Sequence, residues 1–359
     1  MSIPPEAFFL HPNLNGTLQQ RIRQLVAEGI VAGRFRAGEK MPSSRGLAAH
    51  LGVSRITVTL AYTDLVASDY LTSRGRSGYY VSQSAPLQPE FEAPPRASAN
   101  QVDYGALTGR RFSSVDQLQR PADWAQFRYP FIYGQADATL FDHQNWRQCA
   151  LRALGKRDFE ALTSDYYDQD DPLLIEYILR NILPRRGIEA GASEVLLTMG
   201  AQNALWLAGQ VLAGPGKRAV LENPSFPSLR GILRQTGCAV EWVDVDGDGL
   251  PPEALPEGVN VVFTTASHHC PTNATMPMAR RRALLEAASA RDFLIVEDDY
   301  EFEMSFLKAV SPALKSMDRE GRVIYVGSFS KSIFPGLRLG YIVAPEGFIR
   351  EARALRATM

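Results

Sequence analysis

From about residue 126 onward, short apolar runs alternate with helical patterns, and this alternation restricts the fold more than any other feature of the chain. Strands are expected at 195–199, 219–222, 240–243, 260–264, 293–297 and 323–327, with helix-like runs such as 202–212 and 278–290 between them. Parallel strands need long crossover connections, and helices on both faces of a sheet leave its strands apolar throughout. The pattern therefore predicts an α/β domain with a mostly parallel sheet. The upstream chain has another texture. Residues 1–82 read as short helices ending in a hairpin. The stretch from 83 opens SAPLQPEFEAPPRASAN, with Pro86, Pro89, Pro94 and Pro95, and reads as an extended linker. The expected organisation is a first domain over 1–82, a linker over 83–125 and an α/β domain over 126–359. No internal repeat is visible.

Charge separates the same regions. The 359 residues carry a formal net charge of −1, which gives no whole-chain signal for a polyanionic partner. Residues 18–81 hold nine basic side chains (Arg21, Arg23, Arg34, Arg36, Lys40, Arg45, Arg55, Arg74, Arg76) against four acids (Glu28, Glu39, Asp64, Asp69), a local excess of five positive charges. That asymmetry points the N-terminal domain at nucleic acid. The three cysteines, Cys149, Cys238 and Cys270, are widely spaced and form neither a disulfide framework nor a CxxC site, as expected in a reducing compartment. The N-terminus has no basic flank before an apolar core, and no apolar run approaches the roughly 18 residues of a membrane span. A cytoplasmic chain that does not enter a membrane is expected.

Within KMPSSRGLAAHLGVSRITVTLAYTDLVASDYL (40–71), Ser43 or Ser44 can cap a helix after Pro42. Leu47, Ala48 and Leu51 then share a face, and Gly52 permits a sharp turn. Ser54 caps a second helix with Val58, Ala61 and Leu65 on one side. Two short helices around a glycine turn make a helix-turn-helix, whose second helix puts its first residues on base edges. Arg55 and Thr57 occupy those positions; arginine can fork onto guanine, and threonine offers a hydroxyl and a methyl. The following YLTSRGRSGYYV reads as a wing, two short strands around a turn with Arg74, Gly75 and Arg76, suited to phosphates or the minor groove. Helical and β hairpins also occur as plain packing modules. Here, however, MPSSRGLAAHLGVSRITVTLAYTDL resembles the GntR-type winged-helix family over nearly all of residues 18–81. The resemblance implies a double-stranded DNA operator as partner. It makes Arg45 and Arg55 the DNA-contacting arginines, places Thr57 and Gly75 at contact positions, and leaves Ser44 as a phosphate contact.

Chemistry of another kind gathers further on. SFSKSIFPGLRLGY (328–341) follows an apolar strand, and a lysine there, desolvated and flanked by hydroxyls, is placed to condense with an aldehyde. Ser328 and Ser330 can donate to phosphate, and Arg338 can bind it with two parallel bonds. A surface lysine in an ordinary strand-to-helix connection would look the same in isolation. LLTMGAQNAL presents Gly200, Ala201 and Gln202 at a helix start, where free N–H groups and the dipole favour an anion. LIVEDDYEFE puts Asp298 and Tyr300 at a strand end; the carboxylate can hold a pyridine nitrogen protonated, and the hydroxyl can bond a phenolic oxygen. A helix cap or a metal ligand is the plain alternative for such acids. LENPSFPSLR sets Phe226 in a proline-flanked turn, for ring stacking or for the core.

In this order the four segments resemble fold-type I pyridoxal-phosphate enzymes of the aminotransferase superfamily. Together with the GntR-type reader they resemble the MocR/GabR subfamily of regulators, whose second domain opens with a segment similar to residues 129–148. The resemblance implies pyridoxal 5'-phosphate as cofactor, with Lys331 as the Schiff-base lysine, Asp298 as the pyridine partner and Arg338 as a phosphate ligand. It also implies a homodimer of swapped, head-to-tail form. The expected function is a transcription regulator that senses a small amino compound through imine exchange at Lys331. The alternatives are an active aminotransferase with an accessory DNA-binding module, and a DNA-binding module with a vestigial pocket.

Three departures stand out. In HHCPTNAT, Cys270 replaces the usual asparagine and Asn273 the usual glycine, removing one contact to the ring. His268, His269 and Cys270 are too close in sequence for a tetrahedral site, so no metal is expected. Near DYYDQDDPLL an aspartate, Asp170 or Asp171, stands where the family has glycine; Tyr166 or Tyr167 there is aligned with a phosphate contact to a partner subunit. The sequence stops at Met359 inside a helical pattern, so the family's small C-terminal domain, with its carboxylate-binding arginine, is expected to be missing.

Overall fold

Three helices pack around one another in the N-terminal part of the computed structural model: α1 (Leu18–Val31), α2 (Ser44–Leu51) and α3 (Arg55–Ala67). The structure describes residues 2–10, 16–86, 103–109, 112, 121–132, 137–155, 159, 163, 168–305 and 311–359. Much of the expected linker, residues 87–102 and 113–120, together with Tyr166 and Tyr167, lies outside the described residues. The chain divides into two units, Met1–Gly109 and Arg110–Met359.

Helix α1 starts on a capping box in which Thr17 Oγ1 accepts from the Gln20 amide at 3.3 Å and Gln20 Oε1 accepts from the Thr17 amide at 2.9 Å. Its Ile22, Val26 and Ile30 recur every four residues and are fully buried against Leu47 of α2 and Val58, Ala61, Tyr62 and Leu65 of α3. Each large apolar side chain buried this completely stabilises the unit by roughly 1.5–3 kcal/mol. Ser43, not Ser44, caps α2, accepting from the Gly46 amide at 3.0 Å. Gly52 ends that helix at φ 66°, a left-handed value that admits the tight turn into α3. Strands β1 (Leu71–Ser73) and β2 (Tyr79–Val81) pair antiparallel, Leu71 opposite Val81.

The second unit holds a seven-stranded sheet: β3 (Val195–Thr198), β4 (Arg218–Asn223), β5 (Ala239–Asp244), β6 (Val261–Thr264), β7 (Leu294–Asp299), β8 (Val323–Ser328) and β9 (Gly340–Val343), in the order β3-β9-β8-β7-β6-β4-β5. Six are the expected strands. The seventh, β9, is a four-residue run that the lysine-bearing motif runs straight into, and it pairs antiparallel with both β3 and β8. All other pairs are parallel. Alternate residues leave the sheet on opposite faces. Val261 and Phe263 join the cluster under the helix Ala201–Leu212, and Val262 joins Leu284 and Ala288 of the helix Met278–Arg291.

This topology positions the site. Because β9 runs opposite to both neighbours, β3 is parallel to β8. The C-terminal ends of β3, β4, β6, β7 and β8 therefore share one edge of the sheet with the start of β9. Gly340 pairs with Thr198 on one side and Ser328 on the other. The carboxyl edge of an open α/β sheet is where such folds bind ligands, since the loops leaving it are free to vary.

The aspartates near residue 170 serve the scaffold. Asp171 caps the helix Pro172–Tyr177 through the Leu174 amide, 2.8 Å away. Asp170 is half-buried, its nearly enclosed carboxylate 2.5 Å from Arg353 Nη1 and bonded also to Arg356. Both arginines lie on the helix Glu346–Arg356 and bond carbonyls of β3, so this clamp ties the helix to the sheet edge.

Candidate functional site

In the N-terminal unit the side chains with base-reading chemistry stand on the solvent face of the helix-turn-helix. Ser54 Oγ accepts from the Thr57 amide at 3.1 Å and lies 2.8 Å from Thr57 Oγ1, so both hydroxyls are engaged in the start of α3. Arg45 and Arg55 are exposed, and Arg55 Nε donates weakly to Ser44 Oγ at 3.4 Å. Ile56, with 72 % of its surface exposed, stands beside Arg55 on the outer face of α3. In the wing, Gly75 opens the turn Gly75–Ser77 at φ 54°, and the exposed Arg74 guanidinium lies 4.5 Å from the Tyr80 ring centroid. The side chain of Arg76 lies outside the described residues.

At the carboxyl edge of the large sheet, residues far apart in sequence meet. Gly200 has φ 85° and ψ 169°, accessible to glycine alone, and precedes the helix Ala201–Leu212, which places Ala201 and Gln202 in its first turn. Arg338 Nη2 approaches the Met199 carbonyl at 3.5 Å, and a Cβ on Gly200 would stand 3.3 Å from that nitrogen. Arg338 itself sits at φ 53°, a left-handed conformation that costs an arginine about 1 kcal/mol or more and turns its side chain towards the helix start. A cup of backbone N–H groups beside a guanidinium is an anion site. Gly340 lets the cup close: a Cβ there would lie 2.8 Å from Gly200 C and 3.0 Å from Ala201 N. The sequence signal for it was the lone glycine after Arg338.

The two acids at the end of β7 are unequal. Asp299 Oδ2 accepts from Arg186 Nε at 2.6 Å and from the Tyr325 hydroxyl at 2.7 Å, deep in the fold. Asp298 Oδ1 is fully enclosed and has no hydrogen-bond partner among the described residues, although Asp298 as a residue is only partly buried. Burial, then the charges of Asp299 and Glu222, push its carboxyl up to about 7. A buried carboxylate oxygen without a donor costs stability, so the position suits a ligand that brings one. The protonated pyridine nitrogen of pyridoxal phosphate is such a donor, and in this respect the residues fit that group.

Ser328 closes β8, is buried, and accepts from the Ser330 amide at 3.2 Å. Lys331 is mostly enclosed, its side chain 14 % exposed, with Nζ 3.7 Å from Glu301 Oε2 and 5.9 Å from the Tyr300 ring centroid. Glu301 Oε1 is 2.5 Å from His268 Nδ1, and the His268 ring stacks on Tyr300 at 6.2 Å. Glu301 escaped the sequence reading, and His268 entered it only as a rejected metal ligand, because nothing in DDYEFE or SHHC states which acid faces the lysine. His268 Nε2 meets Asn273 Oδ1 at 2.8 Å; Asn273, in the slot of a glycine, holds φ 62°, which asparagine tolerates. Phe226 starts the helix Pro227–Thr236 and packs partly against the sheet core.

Comparison with known proteins matches both halves. Residues 18–81 match the model of the gntR family of bacterial regulatory proteins, and residues 138–359 that of aminotransferase class I and II. The chain is 63 % identical over its whole length to the HTH-type transcriptional regulator TauR of Rhodobacter capsulatus and spans 74 % of that protein. It is 32 % identical to the probable rhizopine catabolism regulatory protein MocR of Rhizobium meliloti, over 92 % of this chain and 67 % of that one. Kynurenine aminotransferase of Pyrococcus horikoshii superposes with a TM-score of 0.57 at 29 % identity, over 63 % of this chain and 58 % of that enzyme. The chain thus spans less than two thirds of that enzyme.

Proposed function

The chain belongs to the GntR-type regulators that carry an aminotransferase class I and II domain, the MocR/GabR group, and from that premise we propose that this DNA-binding transcription regulator senses a small amino compound through pyridoxal 5'-phosphate held at Lys331. The observation that carries the reading is the enclosed Oδ1 of Asp298, without a donor among the described residues, beside an Asp299 whose Oδ2 accepts from both Arg186 and Tyr325. Bound there, the cofactor supplies an aldehyde carbon at which the lysine amine and a free amino compound compete. The amides of Gly200, Ala201 and Gln202, with Arg338, Ser328 and Ser330, would hold the phosphate. Asp298 would hold a proton on the ring nitrogen, Tyr300 would bond the phenolic oxygen, and Phe226 would cover a ring face. Lys331 Nζ must be free of its proton to act as a nucleophile, and the Glu301 carboxylate lies 3.7 Å from it.

The reader is assigned to residues 1–82, the linker to 83–125 and the sensor to 126–359, in a cytoplasmic homodimer. Ser44, Arg45, Ser54, Arg55, Thr57, Arg74, Gly75 and Arg76 are assigned to the DNA face, Ser54 acting through its cap. No helix among the described residues is long and apolar enough to cross a membrane. A direct test selects an operator from a random duplex library, then measures its binding by cofactor-loaded protein across a panel of primary amines. The expected result is that one class of amine changes operator binding by wild type while Lys331→Ala binds DNA and ignores every amine. A Lys331→Ala protein that still responds contradicts the proposal.

A further inference from the structure

The wing's outer face gathers Lys40, Ser77 and Tyr80, none of them in the DNA-reading pattern, around Arg74, which is part of it. Strand β2 alternates: Val81 is buried, Tyr79 packs edge-on against Tyr62 at 4.9 Å, and Tyr80 turns to the opposite, solvent side. On that side its neighbour is Lys40, which precedes the helix-turn-helix by several residues. Lys40 pairs antiparallel with Tyr80, between the bonds Met41 N to Tyr79 O and Val81 N to Glu39 O, both 2.9 Å. Residues facing each other between two such bonds form the closer kind of cross-strand pair. The lysine therefore extends the wing hairpin by one paired position, with Ser2 bridged on its other side. Its stem runs past Gly78, where a Cβ would stand 3.7 Å from Lys40 Cε, and its ammonium lies 5.9 Å from the Tyr80 centroid. Arg74 lies over the same ring at 4.5 Å, and Ser77 Oγ is 2.6 Å from the Tyr80 hydroxyl.

We propose that Lys40, Arg74, Ser77 and Tyr80 form one phosphate-binding ledge, in which Lys40 makes a DNA-backbone contact from outside both the recognition helix and the wing turn. This rests on the DNA-binding reading of the N-terminal unit. Two cations gathered around one aromatic ring, with hydroxyls between them, present fixed positive charge and hydrogen-bond donors to a single anion. Arg74 and Lys40 are both exposed, and among the described residues no ion pair joins either to an acid. The ring orients them: cation–π contact holds long side chains that would otherwise sample many rotamers. The bond from Ser77, followed by the nearby Lys40 and Arg74 charges, holds the Tyr80 hydroxyl below the usual phenol range, which strengthens it as a donor to phosphate. The competing role for Lys40 is purely structural, a cross-strand pair that steadies the hairpin.

Salt dependence separates the two roles, because each phosphate neutralised releases counterions and adds about 0.9 to the slope of log K against log salt. The full chain is titrated with a mixed-sequence DNA duplex over a range of salt concentrations, alongside Lys40→Met, Lys40→Arg and Arg74→Met. Methionine keeps the apolar stem over Gly78 and removes only the charge. The expected result is a slope lower by about 0.9 for Lys40→Met and for Arg74→Met, restoration in Lys40→Arg, and unchanged melting temperatures. A wild-type slope in a folded Lys40→Met protein overturns the proposal while leaving DNA binding intact. A wild-type chain that binds no duplex at low salt overturns the reading on which it rests.

Discussion

In the reader, Arg45, Arg55 and Arg74 stand exposed on a frame whose caps and core come from neighbouring residues. In the aminotransferase-type unit Arg186 and Asp299 are buried and Asp298 and Lys331 half-buried, with Arg338 exposed at the rim, and Arg186 reaches Asp299 across 113 positions of sequence. The difference is one of cost. An exposed arginine aimed at DNA is already solvated, so it can be removed without disturbing the fold. A buried carboxylate must be paired, and Asp299 is paired, whereas Asp298 Oδ1 has no hydrogen-bond partner among the described residues. Binding and stability should therefore be separable in the first region and entangled in the second.

The largest effect should come from breaking the buried pair. Arg186→Ala leaves Asp299 enclosed without its cation and frees the Ser267 hydroxyl and Ser311 carbonyl that the guanidinium also bonds. Removal of one partner of a buried pair costs about 3–5 kcal/mol, to be read from denaturant unfolding of the isolated protein. A loss comparable to that of a surface substitution would erase the contrast between the two regions.

Asp298 sharpens the comparison through pH. Its carboxyl ordinarily titrates at 3.8 and is raised to about 7 in the fold. Between those values the folded chain keeps a proton that the unfolded chain has lost, so stability falls as pH rises through that window and the full penalty is present above it. Asp298→Asn should raise the melting temperature of cofactor-free protein near about pH 8 and leave it unchanged near about pH 4. The same substitution should weaken pyridoxal-phosphate binding, measured by titration of the visible absorbance. A melting gain that persists undiminished in acid would show that the residue's charge is not what the fold works against.

The smallest effect on stability belongs to the reader. Arg55→Ala should cost roughly 1–3 kcal/mol of operator discrimination in competition gel shifts, with a melting temperature within the error of wild type. A marked fall in melting temperature would mean that Arg55 belongs to the scaffold, as Ser54 does.

Legibility in the sequence follows the same division. The reader was almost wholly readable because its determinants are local: Ser54 before Arg55, glycine at 52, and apolar residues on one helical face. Even there, only the structure chose Ser43 over Ser44 as the cap. The parallel sheet was visible in six strands because strands buried on both faces are continuously apolar. The short β9 was missed, since GYIV is too brief to separate from the motif before it. Lys331 and Asp298 could be singled out by residue type and order. Their surroundings could not, because which acid takes Arg186 and which faces the lysine depends on register across strands. Arg186 sits in LPRRG, where nothing tells it from Arg185, and Gly340 gains its meaning only from pairing with both Thr198 and Ser328.

Loading the protein with pyridoxal phosphate, reducing it with borohydride and mapping the peptides by mass spectrometry locates the anchoring amine directly. The pyridoxyl group should be found on Lys331 and on no other residue. A label on a different lysine, or none under conditions where the protein is folded, would contradict the assignment of the sheet edge as the cofactor site.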